Sequence, residues 1–179
     1  MKRSLTETLC TRCGLCCDGS LFADVELTGR AEATRLEAMG LEIEDDDTSG
    51  AQLLQPCVAL QGRRCAIYEH RPECCQTFEC RLLQDVRRGA VGVERAKEQI
   101  AEALKRIGRV KDLLAQLGQH DGRLPLGESC AEALAKDTDA DPEVNRKRAE
   151  LEAAMSAVEG LIRKTFLADA RPSSARPLG

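Results

Sequence analysis

The C-terminal half of the chain shows a regular pattern of apolar positions. Apolar residues recur there at alternating spacings of three and four residues, which places their side chains on one face of an α-helix. A repeat of this period also forms a heptad seam, so the pattern predicts one long helix with an apolar stripe. The stripe consists of Val93, Ala96, Ile100, Ala103, Ile107, Val110, Leu114 and Leu117.

A second long helix is predicted to begin at residue 142. Asp141 is suited to cap its first turn, and Pro142 is favoured at the first helical position. A shorter helix is predicted between the two, around residues 130–136. The apolar stripes are wider than a two-stranded seam, so we expect the long helices to pack antiparallel on each other and against the N-terminal part. Apolar positions of the second helix and the residues that widen the stripes are Val144, Leu151, Ala154, Val158, Leu161, Leu104, Met155, Ile162 and Phe166.

The first 80 residues carry shorter and less regular elements. Thr28 is a candidate cap for a helix that continues through Met39, and Gly40 suits a left-handed helix end. The acidic segment 44–50 is predicted to be a loop. Three short apolar runs are too brief for helices and are predicted to be strands or extended segments, at residues 52–54, 58–60 and 66–68.

These elements predict an α+β fold that is helix-rich overall. A small, irregular, cysteine-rich domain with short strands is expected over residues 1–85, and a helical hairpin is expected over residues 86–168. Residues 169–179 are expected to form a disordered tail. Net charge changes sign near the same boundary: residues 1–80 carry 8 basic and 14 acidic side chains, net −6, and residues 81–179 carry 18 and 16, net +2.

Composition excludes several classes of protein. The chain has 179 residues, and no apolar stretch approaches the roughly 18 residues that a membrane span needs. No apolar segment follows the basic residues at the start, so a cytoplasmic location without membrane attachment is expected. A net charge of −4 and 2% aromatic residues argue against nucleic acid as a partner. Ten cysteines are the unusual feature, and nine of them lie in the first 80 residues.

The first cysteine cluster is a C-x2-C-x2-C-C run formed by Cys10, Cys13, Cys16 and Cys17. Disulfides account for it poorly, because a bridge between adjacent cysteines is strained and a reducing cytoplasm opposes such bonds. A metal ion accounts for it well. Two cysteines two residues apart can direct both sulfurs at one ion, and Gly14 supplies the backbone freedom that such a turn needs.

A second cluster carries further recognisable residues. The chain has P-C-x-x-L at residues 56–60, C-x-I-Y-x-x-R-P-x-x-C at residues 65–75 and F-x-C at residues 78–80. With the first run, over about residues 10–82, this pattern resembles the bacterial CxxCxxCC-type family described as zinc- or iron-chelating. Cys74 and Cys130 match no position of that family. The resemblance implies a set of eight metal ligands, Cys10, Cys13, Cys16, Cys17, Cys57, Cys65, Cys75 and Cys80.

Eight thiolates suit two four-coordinate sites, and spacing alone does not show which sulfurs share an ion. The sequence predicts a cytoplasmic protein that chelates zinc or iron through these thiolates, with an iron-sulfur cluster as one form of the iron. An iron-sulfur redox protein or enzyme component, a metal delivery protein, and metal-free thiol chemistry or disulfides stay open as alternatives. His70 is more readily a surface residue than a ligand, and Arg71 is expected to be structural.

No nucleotide, serine-hydrolase or zinc-peptidase motif is present in the sequence, which favours a binding protein over an enzyme. The expected partners are a metal ion and, through the C-terminal helices, another protein or a second copy of the chain. The helices would then complete the core or form a dimer.

Overall fold

The structure is a computed structural model that describes residues 4–46, 50–119, 122–135 and 141–167. The predicted tail at residues 169–179 lies outside the described residues. The described part is helix-rich with a few short antiparallel strands, which confirms the predicted α+β class.

The first helix, α1 (Leu5–Cys13), begins with a capping box. The hydroxyl of Ser4 accepts from the backbone N–H of Glu7, and the Glu7 carboxylate accepts from the N–H of Ser4. Helix α1 ends at Gly14, whose φ of 73° lies in the left-handed region. No helix is predicted here above, although S-x-x-E at residues 4–7 is a recognisable start signal.

Three strands form a small antiparallel sheet of order β1-β3-β2, with β1 at Asp24–Glu26, β2 at Ile43–Asp46 and β3 at Gly50–Leu54. The predicted strand at residues 52–54 is confirmed. The predicted loop at 44–50 is wrong for residues 44–46 and 50, which pair with β3 or belong to it, and residues 47–49 lie outside the described residues. An edge strand tolerates acidic side chains because one side of it faces solvent, and β2 is such an edge.

A second, shorter hairpin consists of β4 (Leu60–Gln61) and β5 (Arg64–Cys65). The predicted strands at 58–60 and 66–68 are therefore wrong for most of their residues. Residues 58–59 and 66–67 form turns, and Tyr68–His70 is a 3-10 helix. These runs are too short for apolar character alone to distinguish a strand from a turn.

Helix α2 (Arg30–Glu37) begins one residue later and ends earlier than predicted. Its N-cap is Gly29 and not Thr28, whose N–H instead donates to the carboxylate of Glu32 at 2.9 Å. Gly40 has a φ of 83°, so the predicted left-handed residue is present, but the helix itself ends before Met39.

The remaining helices are α3 (Glu73–Thr77), α4 (Arg81–Arg87), α5 (Val93–Gln116), α6 (Leu126–Ala135) and α7 (Pro142–Ile162), and a π-helical turn follows at Arg163–Leu167. This confirms the two predicted long helices and the short one between them. The carboxylate of Asp141 accepts from the N–H of Glu143 at 3.0 Å, as expected for a cap.

Helices α5 and α7 pack antiparallel. Arg109, in the middle of α5, pairs with Glu150 of α7 at 3.0 Å, and Ile100 near the start of α5 lines the same cavity as Phe166 after the end of α7. Buried apolar side chains from α1 to Phe166 form one continuous cluster. Each large side chain fully buried in it contributes about 1.5–3 kcal/mol. The N-terminal cysteines are therefore supported by a core that includes the C-terminal helices.

Candidate metal centre

Nine of the ten cysteines line one cavity of about 250 Å³. All ten are free thiols, and each lies within the described residues. The cavity lies where α1, the small sheet, α3, α4 and α5 meet, and its apolar wall includes Leu9, Phe22, Ile100 and Phe166. The eight predicted ligands and Cys74 are the nine cysteines that line it. Cys130 lies elsewhere, buried on α6.

Helix α1 and the turn after it position the first run of cysteines. Cys10 and Cys13 are three residues apart on α1 and therefore share one helix face. The left-handed conformation of Gly14 then reverses the chain, and the N–H of Cys17 donates to the Gly14 carbonyl at 2.9 Å. Leu15, fully buried, anchors this turn in the core.

The first thiol group consists of Cys10, Cys13, Cys16 and Cys80. Cys80 joins it because it immediately precedes α4, and α4 packs against α1. Burial, and then the neighbouring Cys80, raise the pKa of Cys10 to about 11. Burial with smaller contributions from Cys80 and Cys10 raises the pKa of Cys13 to about 12. The pKa of Cys16 is raised well above its usual value by burial and then by the thiols around it, which are Cys13, the adjacent Cys17, Cys80 and Cys10.

The second thiol group consists of Cys17, Cys57, Cys65 and Cys75. The N–H of Cys57 donates to the carbonyl of Cys17 at 2.8 Å, and Leu60, which follows Cys57 in a turn, pairs with Cys65 across the β4-β5 hairpin. Burial and then Cys57 and Cys65 raise the pKa of Cys17 to about 12. Cys75 lies close to both Cys17 and Cys16, so it lies between the two groups. It is counted with the second group because Cys17 has the larger effect on its pKa.

Cys74 is a ninth thiol of the cavity. Its side chain is hydrogen-bonded to that of Cys75, which raises the pKa of Cys75 and lowers that of Cys74. Both residues lie on the short helix α3. Cys74 matches no position of the resembled family pattern, and it lies beside the predicted ligand Cys75.

Backbone N–H groups face several of the sulfurs. The N–H of Leu15 bonds to Cys13, that of Ala59 bonds to Cys57, and those of Leu82 and Leu83 bond to Cys80; each lowers the pKa of its cysteine against the larger effect of burial. Such N–H···S bonds favour the thiolate, which is the form that binds a metal ion.

Three arginines line the cavity, Arg63, Arg71 and Arg87, and two of them lower the pKa of nearby cysteines. The Arg71 guanidinium lies 3.7 Å from the centre of the Tyr68 ring and donates to the carbonyls of Tyr68 at 2.8 Å and of Cys75 at 3.3 Å. Its charge lowers the pKa of Cys10 in the first group and of Cys17 in the second, although burial outweighs it at both. The charge of Arg87, which was not among the predicted site residues, also lowers the pKa of Cys10.

The donor set fits a thiophilic metal ion in kind. The thiols are reduced, gathered on one cavity, and accompanied by N–H groups and arginines that offset thiolate charge. As the side chains stand, no three Cys, His, Asp or Glu residues of the described ranges are close enough together to hold an ion. Coordination therefore requires the sulfurs of a group to turn towards one another.

His70 lies exposed beside the cavity and does not belong to its wall, which agrees with a surface residue. The carbonyl of His70 accepts from Arg35 at 2.9 Å, so the residue contributes through its backbone. Among helices of the described residues, none is long and apolar enough to cross a membrane.

Comparison with protein-family models matches residues 9–103 to CxxCxxCC, described as a "Putative zinc- or iron-chelating domain". The match covers more than half of the chain and extends beyond the cysteines into α5. Comparisons with curated proteins and with solved structures gave no match.

Proposed function

The chain belongs to the CxxCxxCC family of zinc- or iron-chelating domains, and from this premise we propose that its metal ligands are the thiolates of eight cysteines. The observation that carries the proposal is the gathering of these thiols on one cavity. They come from α1, the turn after it, the segment after β3, strand β5, α3 and the start of α4. The proposed ligands are Cys10, Cys13, Cys16, Cys17, Cys57, Cys65, Cys75 and Cys80.

Bringing so many thiols together has no evident benefit for a metal-free core. Burial and mutual repulsion hold most of them in the neutral form, as their raised pKa values show. A Zn²⁺ or iron centre would stabilise the thiolates and cross-link the segments that carry them, or, as an iron-sulfur cluster, supply electron transfer. Metal binding is thereby coupled to the order of the N-terminal part.

A structural metal-binding protein is the function that this arrangement supports best, because a site closed by four thiolates leaves no open position for a substrate. The alternative of an iron-sulfur protein is favoured by one observation, the C-x2-C-x2-C spacing of Cys10, Cys13 and Cys16, which equals the first three ligands of a bacterial ferredoxin run. Free thiols suit a reducing compartment such as the cytoplasm. Docking of a partner protein or second copy on the C-terminal helices stays a prediction.

Single Cys→Ser variants test the ligand assignment. Cys13→Ser and Cys57→Ser, one from each thiol group, are expected to lower bound metal measured by plasma mass spectrometry and to lower the melting temperature. Cys130→Ser is the matched control, because Cys130 is buried away from the cavity, and its metal content should equal that of the unaltered chain. Unchanged metal content in both ligand variants would overturn the assignment.

A further inference from the structure

We propose that the eight cysteines form two four-thiolate centres that release their ions at unequal rates, and that the second thiol group is the one that exchanges its ion with chelators in solution. The first thiol group would hold its ion as a permanent cross-link. This inference rests on the proposed function and goes beyond it, because it assigns each sulfur to a centre and gives the two centres different roles.

The first thiol group is carried by helices and a turn that pack into the core. Its helix, α1, packs against both α4 and α5. Leu9 and Leu15 on one side and Leu82 and Leu83 on the other are each at most 3% exposed. The sulfurs of this group are half-buried like those of the second group, but the helices that carry them are held in place by apolar packing, so an ion bound there is released only when these packed helices move.

The second thiol group reaches the surface. Cys65 lines the cavity on one side and, on the other, a separate surface groove of about 340 Å³ that is bordered by Glu7, Thr11, Arg64 and Tyr68. The hairpin that carries Cys65 has only two residues in each strand, so few hydrogen bonds oppose its movement. Val58, next to Cys57, is 51% exposed.

Cys74 adds a fifth thiol beside the second group. It lies within hydrogen-bonding distance of Cys75, close enough to take the place of a departing ligand. In the exchange, the acceptor's donor atoms replace the cysteine sulfurs one at a time, and each released thiolate takes a proton from water. No electron is transferred. The acceptor is a small thiol or a carboxylate or pyridine chelator that enters along the groove.

Zinc release from the full chain tests the proposal. The zinc-loaded chain, which is expected to hold about two ions, is mixed with the chromogenic chelator pyridylazoresorcinol, and absorbance is followed in time. We expect two phases of equal amplitude. Cys65→Ser should lose the fast phase and about one ion, Cys74→Ser should slow the fast phase alone, and Cys130→Ser should retain both phases unchanged.

A second measurement uses the unaltered chain and so does not depend on the folding of a variant. After the fast phase, exposed thiols are alkylated with iodoacetamide and the modified cysteines are identified by mass spectrometry. Labelling of the second thiol group with protection of the first is expected. Release of both ions in one phase, or labelling of the first group, would overturn the unequal centres and leave the proposed function intact. A chain that binds neither zinc nor iron would instead overturn the proposed function.

Discussion

The protonation state of each cysteine controls what the cavity can bind. Burial and neighbouring thiols raise the pKa of Cys10 to about 11 and of Cys13 and Cys17 to about 12. These residues are therefore protonated at neutral pH in the metal-free chain, and a metal ion must displace their protons.

Metal binding is accordingly predicted to release about four protons for each ion held by four thiols. Because the protons compete with the ion, apparent affinity should rise with pH throughout the range below these pKa values. Calorimetric titration of the metal-free chain with zinc, in buffers of different ionisation enthalpy, measures the number released. Release of fewer than about two protons per ion would contradict coordination by protonated thiols.

Arg71 is placed to stabilise both thiol groups. Its guanidinium bonds to the Cys75 carbonyl and lowers the pKa of Cys10 and Cys17. Arg71→Gln is predicted to weaken zinc affinity by about 10-fold or more, which is typical for loss of a group that supports metal ligands.

Chelator competition measures this affinity, and Arg71→Lys should restore part of it because the charge returns without the forked hydrogen bonds. Arg95→Gln is the control, since Arg95 pairs with Glu98 on the exposed face of α5. Equal losses in Arg71→Gln and Arg95→Gln would show that Arg71 has no special role.

The candidate ligands could be identified from the sequence, but not which of them lie together. The spacing of Cys10, Cys13, Cys16 and Cys17 indicates a metal site because cysteines two residues apart can direct both sulfurs at one ion. The association of Cys80 with Cys10, and of Cys57 with Cys17, depends on how α4 and the hairpin fold back onto α1, which no local pattern shows.

At the scale of elements, α1 is the scaffold of the site, and Gly14 determines how it ends. An added Cβ at Gly14 would lie 3.4 Å from the Arg63 backbone, and its φ of 73° is unfavourable for any other residue. Gly14→Ala is predicted to destabilise the chain by about 1 kcal/mol and to lower zinc occupancy of the first thiol group.

Gly108→Ala is a matched control for this change. Gly108 lies within α5, and no atom stands within 4 Å of an added Cβ there. Alanine is the better helix former, so this variant should gain about 0.5–1 kcal/mol. Urea denaturation measures both effects, and a Gly14→Ala chain as stable as the unaltered one would show that the turn has no strict requirement.

Long periodic elements could be predicted from sequence and short ones could not. Six of the eight residues in the predicted stripe of α5 are buried, and α7 begins at the predicted cap, because regular spacing and end signals act locally. The strand β2 was missed because its acidic residues look like a loop when the partner strand is unknown. Helix α1 has only nine residues and no clear apolar face, so its capping box was the available signal.

For the molecule as a whole, the cysteine cavity and the C-terminal helices share one core. Phe166 follows α7, is 1% exposed and lines the cavity beside Ile100. Phe166→Ala is predicted to cost about 3–5 kcal/mol, as expected for deletion of a buried aromatic ring. It should also accelerate zinc release, because the cavity loses part of its wall.

Met39→Ala is the control for this variant, since Met39 is among the exposed large apolar residues. Thermal unfolding followed by circular dichroism gives the stabilities, and chelator-driven release gives the rates. If Phe166→Ala lowered stability without altering release, the helices would support the core but not the metal centre.

Coordination of the ion by cysteine sulfur is the central claim, and X-ray absorption spectroscopy at the zinc and iron edges tests it most directly. The measurement is made on the full chain purified anaerobically without a metal-affinity tag. The account predicts an all-sulfur shell of about four atoms, at about 2.3 Å if the metal is zinc. A shell dominated by nitrogen or oxygen, or a chain that carries no metal, would contradict it.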